Sequence, residues 1–156
     1  MYDSIKSKVN KAHIKYYSTN HRAPEVGFRE ALLRGLAPDG GLYMPSAIPK
    51  FSNKELEYLR NLEYPAMAFS VLDKFLSEEI DPDTLESLCN DAYNFPVPIE
   101  NVTGRTFVLR LDQGPTASFK DFAARMMARL MNHYISENNI RLTILTATSG
   151  DTGSAV

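Results

Sequence analysis

The sequence predicts an α/β fold: a mostly helical amino-terminal domain followed by the start of a sheet-and-helix domain. Three observations carry this. The middle of the chain holds three consecutive helical patterns. From Pro96 onward the pattern alternates strand, helix, strand, helix, which is the α/β signature. RLTILTAT, residues 141–148, is apolar without alternation, as in a strand buried on both faces of a parallel sheet.

Taken in order, KYYST (15–19) has the β-branched and aromatic composition of a short strand. After Pro24, EVGFREALLRGL places Phe28, Leu32 and Leu36 at helical spacing, with Leu33 beside them. APDGG is a turn signal, and GLYMP reads as a second short strand stopped by Pro45. Ser52 can cap KELEYLRNL. A second helix begins near Pro65, with Phe69, Leu72, Phe75 and Leu76 as its apolar stripe. A third starts with Asp81 as N-cap and Pro82 in the first helical position.

Beyond Pro96, VPIENV and TFVLRL read as two strands joined by a turn at Thr103-Gly104. A long helix is predicted from Phe119 to Asn138. Its wide apolar face comprises Phe122, Met126, Met127, Leu130, Met131, Tyr134 and Ile135. SGDTGSAV then opens another helix. So few strands cannot cover both faces of such apolar elements, and the sequence reads as truncated relative to its fold. The predicted division is residues 1–14 as a leader or extension, 15–95 as the first domain and 96–156 as the beginning of the second.

Bulk properties narrow the function. The 156 residues are 44% hydrophobic and carry a net charge of −2, which leaves no electrostatic footprint for nucleic acid. No apolar run approaches the roughly 20 residues needed to span a bilayer, so no membrane role is expected. A single cysteine, Cys89, cannot form an internal disulfide and fits a reducing, cytoplasmic compartment. The first residues lack a secretory pattern, and Lys6, Lys8, Lys11 and Lys15 read as a solvated leader. His13, His21 and His133 have no metal-ligand spacing to Cys89 or to paired carboxylates, so no metal is expected.

Two segments can carry chemistry. Lys120, in GPTASFKDF, lies between a turn and a helix start. The positive end of a helix and the apolar neighbours Phe119 and Phe122 favour a neutral amine, the form that imine chemistry requires. Asp121 opposes this if its carboxylate faces the amine. On composition alone Lys120 also reads as an ordinary exposed lysine. TSGDTG, Thr148 to Gly153, follows an apolar run; its glycines let a ligand approach, and Ser149, Asp151 and Thr152 add side-chain hydrogen bonds. The same loop reads equally as a plain capped helix start. It lacks the lysine of a phosphate-binding nucleotide loop. GLAPDGGLYMP, residues 35–45, shows only a turn and a strand.

Together, in this order and spacing, YYST, FREALLRGLAPDGGLYMP, LDQGPTASFKDFAARMMARL and ILTATSGDTGSAV resemble threonine synthase from about Tyr16 to Val156. GLAPDGGLYMP and GPTASFKDF carry most of the specificity. The TSGDTG loop is shared more widely among fold type II pyridoxal-phosphate enzymes. The resemblance implies a fold type II α/β domain, with pyridoxal 5′-phosphate as cofactor and O-phospho-L-homoserine as substrate, converted with water to L-threonine and phosphate. It implies that Lys120 carries the cofactor and shuttles protons, with Phe119 beside it. Ser149, Gly150, Asp151 and Thr152 then form the segment that meets the substrate. The family's phosphate-binding loop and its partner for the pyridine nitrogen would lie beyond Val156, so this chain alone is expected to be inactive. Oligomeric state is left open. The competing readings are a serine/threonine dehydratase-like enzyme of the same fold type, against which GLAPDGGLYMP argues, and a non-catalytic module.

Overall fold

The computed structural model describes residues 13–136 and 141–156. Most of the expected leader, and the last two residues of the expected long helix, lie outside the described residues. The elements are β1 (Tyr16–Ser18), α1 (Phe28–Arg34), β2 (Tyr43–Pro45), α2 (Asn53–Leu59), α3 (Tyr64–Leu76), α4 (Pro82–Ala92), β3 (Ile99–Thr103), β4 (Thr106–Leu109), α5 (Asp121–Ser136) and α6 (Asp151–Ala155). This is the mixed α/β composition that the patterning predicts. The described residues divide into two compact units, one of 13–60 and 70–85, the other of 61–69, 86–136 and 141–156.

In the first unit, β1 pairs antiparallel with β2, with Tyr17 opposite Met44. Ile14, Tyr16, Val26 and Ala31 form its core, and Phe28, Tyr43 and Phe75 pack against them. Burying side chains of this size contributes about 1.5–3 kcal/mol each for the larger ones. The helix α1 departs from its predicted stripe. Ala31 is its buried residue, while Leu36 falls beyond the helix end and is 57% exposed. The N-cap Gly27 has no side chain to offer the first turn. The carboxylate of Glu79 takes its place, accepting from the backbone N–H of Phe28 at 2.6 Å and of Arg29 at 2.9 Å.

The turn between α1 and β2 is organised by Asp39. Its carboxylate accepts from Ser18 Oγ at 2.6 Å, Arg22 N at 2.9 Å and Gly41 N at 3.0 Å. The Ser18 hydroxyl, chiefly, holds the Asp39 carboxyl down to about 2. Ser18 is fully buried, and a Cβ on Gly41 would lie 2.1 Å from its hydroxyl, so only glycine fits there. The caps expected of α2 and α4 are present. Ser52 and Glu55 make a reciprocal capping box, and Asp81 accepts from Thr84 N at 2.9 Å.

In the second unit, β3 and β4 form an antiparallel hairpin whose residues are all exposed. The long helix α5 buries Ala124, Met126, Leu130 and Tyr134, whereas Met127, expected on that face, is 40% exposed. Arg125 closes the carboxyl end of α4, donating to Ala92 O at 2.7 Å and Asp91 O at 3.0 Å. Arg129 pairs with Asp91 at 2.6 Å.

The expected strand RLTILTAT is not formed. Residues 141–148 have no strand assignment, and Leu142, Ile144 and Leu145 are 48%, 52% and 91% exposed. A parallel strand exists only when neighbours satisfy its backbone groups. Among the described residues β3 and β4 pair only with each other, and no strand lies alongside 141–148.

Candidate active site around Lys120

The loop ahead of α5 turns twice before the helix begins. Ala117 N donates to Gly114 O at 3.0 Å, and Asp121 N donates to Ser118 O at 3.1 Å. Ala117 sits at φ 56°, a left-handed conformation that costs a non-glycine residue about 1 kcal/mol and needs surrounding contacts to hold it. Those contacts come from Asp121, which is 1% exposed. Its carboxylate accepts from Thr116 N at 3.0 Å and Thr116 Oγ1 at 2.8 Å. Gly114 passes so close that a Cβ there would lie 2.3 Å from Asp121 Oδ2.

Lys120 follows directly from this loop. Its carbonyl accepts from Ala124 N at 2.9 Å, the first helical bond, so Lys120 occupies the N-cap position immediately before α5. Its own N–H donates to Ser118 Oγ at 3.2 Å, and Ser118 is 5% exposed. The Lys120 amine pairs with the Asp151 carboxylate and lies 4.4 Å from the centre of the Phe119 ring. The Lys120 amine, and next the Ser118 hydroxyl, hold the Asp151 carboxyl below its usual range.

Asp151 opens α6. The preceding turn is closed by Thr148 Oγ1, which accepts from Gly150 N at 2.9 Å and Gly153 N at 3.0 Å. Ser149 and Gly150 are exposed and Thr152 is half-buried. The two sequence-predicted segments are therefore adjacent, joined through Lys120 and Asp151.

The surroundings of the amine differ from those expected. Phe119 is 60% exposed and does not enclose it. Phe122 is committed elsewhere, to an aromatic cluster with its ring 5.2 Å from Phe95 and 5.5 Å from Tyr64. Asp121 is turned towards Thr116, and the carboxylate against the amine is that of Asp151. Thr116 and Ser118 are the contributors that the sequence reading passed over. The available signal was two hydroxyl residues within one turn of a helix start, where such side chains bond to backbone.

Among the described residues, no group of three or more His, Cys, Asp or Glu side chains could hold a metal ion, and no helix is long and apolar enough to cross a membrane.

Residues 15–93, about half of the chain, match the family described as the threonine synthase N terminus. A threonine synthase from Pseudomonas aeruginosa is 37% identical over 147 residues, covering 91% of this chain and 31% of its own length. Among solved structures, the PLP-bound threonine synthase of Brucella melitensis superposes with a TM-score of 0.86 at 41% identity, covering 91% of this chain and 32% of its own. The Escherichia coli threonine synthase gives 0.82 at 36% identity, covering 90% and 33%. The chain spans about a third of the length of the curated relatives it matches.

Proposed function

We propose, because this chain belongs to the family of the threonine synthase N terminus, that it forms part of an enzyme converting O-phospho-L-homoserine and water to L-threonine and phosphate. The observation that carries the reading is the meeting of Lys120 with the Ser149–Thr152 turn, two segments 31 residues apart at their point of contact. The proposed cofactor is pyridoxal 5′-phosphate, which a solved relative also binds. When bound, it supplies an electron sink for negative charge developing on the substrate carbons.

The residues present fit that group. Lys120 offers a primary amine with 31% of its side chain exposed, at the head of a helix, and Phe119 presents an exposed ring beside it. In this reading Lys120 holds the cofactor covalently, then moves protons at the α and β carbons of the substrate. Over the whole reaction the γ carbon would lose phosphate and gain a proton, while the β carbon would lose a proton and gain the hydroxyl of water. Ser149, Gly150, Asp151 and Thr152 bind the substrate. The domain boundary near residue 95 belongs to the same proposal, with residues 15–95 as an amino-terminal domain and 96–156 beginning the catalytic one. A cytoplasmic location accords with the single cysteine, which is buried and whose thiol burial pushes up to about 12, leaving it unreactive.

The test is phosphate release from O-phospho-L-homoserine by the protein at its full natural length. Lys120→Arg keeps the charge but cannot form an imine, and should abolish turnover. Lys54→Arg, on the exposed face of α2, should leave it unchanged. Turnover surviving in Lys120→Arg would refute the assignment.

A further inference from the structure

The carboxylate beside the lysine in sequence has no role in the reaction as proposed. Asp121 is 1% exposed, and both hydrogen bonds it accepts from side chain or loop come from Thr116. An anion buried this fully on an ordinary helix would be a burden, since a polar group removed from water must be compensated by fixed donors. Here the donors belong to the loop that ends in Lys120.

We infer that Asp121 is a positioning residue for Lys120: its buried carboxylate ties Thr116 to the first turn of α5 and so fixes the direction in which the lysine leaves the helix. Three further features bear on the same point. Ala117, next to Thr116, sits at φ 56° and must be held there. Gly114 approaches Asp121 so closely that a Cβ would lie 2.3 Å from Oδ2, so the loop is shaped around the carboxylate. Ser118 accepts from Lys120 N at 3.2 Å while its own carbonyl accepts from Asp121 N at 3.1 Å, which joins the backbone of the two neighbours through one buried serine. The carboxylate therefore acts through the loop and not on the reacting atoms. Asparagine at this position offers one acceptor, which the Thr116 N–H can take, and forces the Thr116 hydroxyl to reverse from donor to acceptor, without the charge that strengthens both bonds.

This inference rests on the reading of Lys120 given above, and the experiment separates the two. The protein at full length is treated with pyridoxal phosphate and borohydride, and the rate of pyridoxyl attachment at Lys120 is followed by peptide mapping. Asp121→Asn and Thr116→Val should each slow attachment at Lys120 by roughly tenfold, the scale of one lost buried hydrogen bond. The double variant should be slower by much less than the product of the two single effects, because both substitutions act on the one contact between the Thr116 hydroxyl and residue 121. Thr116→Ser keeps the hydroxyl and should restore the rate. Asp81→Ala, which removes the cap of α4, should lower thermal stability without changing the rate, so general destabilisation is distinguished from misplacement. If Asp121→Asn does not fold, Thr116→Val, of equal shape, decides alone. Attachment at the ordinary rate in Thr116→Val and Asp121→Asn would overturn the positioning role and leave Lys120 intact as the attachment site. Attachment of the unsubstituted protein at another lysine would overturn both.

Discussion

Sheet β1/β2 and hairpin β3/β4 are both antiparallel pairs of short strands, yet Tyr16 and Ser18 of the first are buried while every residue of the second is exposed. The difference lies in what surrounds the backbone ladder. Around β1/β2, Asp39 gathers Ser18, Arg22 and Gly41, and the core of Ile14, Tyr16, Val26 and Ala31 closes one face. The hairpin has its ladder and an exposed cluster in which Arg110 reaches Glu100 and Asp112, each at 2.7 Å. The lesson repeats on a smaller scale at the candidate site. Asp121, enclosed by Thr116 and Gly114, defines a loop, whereas Asp151, half-exposed, meets the Lys120 amine and the Ser118 hydroxyl at the surface. Strand pairing sets local shape; burial of polar groups with matched donors sets which parts are rigid.

The comparison breaks most sharply at Gly41. A methyl group there meets Ser18 Oγ at 2.1 Å and Asn20 N at 2.8 Å, the first a fully buried side chain and the second a backbone atom. Gly41→Ala should destabilise the first unit by about 3 kcal/mol, the upper range of overpacking, read as a lowered urea midpoint. An unchanged midpoint would mean that the turn is not closed around Ser18.

Asp39 sharpens the contrast through pH. Its folded value, about 2, lies below its ordinary 3.8, so the folded state favours the carboxylate. The stabilisation is complete above about pH 4, where the unfolded chain is ionised as well, and is lost as pH falls through about 2. Thermal melts of the unsubstituted protein should lose stability across this window, and Asp39→Asn should flatten the Asp39 share of that loss. Identical pH dependence in the two proteins would remove Asp39 from the account.

At the other end of the scale stands Phe107 in β4, 60% exposed. Phe107→Ser should shift stability by no more than about 0.5 kcal/mol, since surface changes away from buried features are usually that small. A larger loss in melting temperature would show that the hairpin is supported by more than its own ladder.

These regions also explain what could be read from the sequence. Signals confined to one turn were legible: the Ser52 and Asp81 caps, the hairpin turn near Thr103-Gly104, and Lys120 at a helix start. So was the periodic face of α5, apart from Met127. Contacts set by distant residues were not. Glu79 caps a helix about 50 residues away, and Asp39 reaches Ser18 across 21 positions. Neither leaves a local pattern. RLTILTAT has the composition of a buried strand, but composition does not supply the neighbouring backbone that such a strand needs. At the site, sequence proximity suggested Phe119 and Phe122 as the walls around the amine. The folded chain sends Phe122 into an aromatic cluster and brings Asp151 to the lysine instead.

The most direct measurement of the central claim is peptide mapping after borohydride reduction of the full-length protein purified with its cofactor. The account predicts a single pyridoxyl group on the peptide containing Lys120, together with loss of the visible or near-ultraviolet band in Lys120→Arg. A pyridoxyl group found on any other lysine, with Lys120 unmodified, would contradict it.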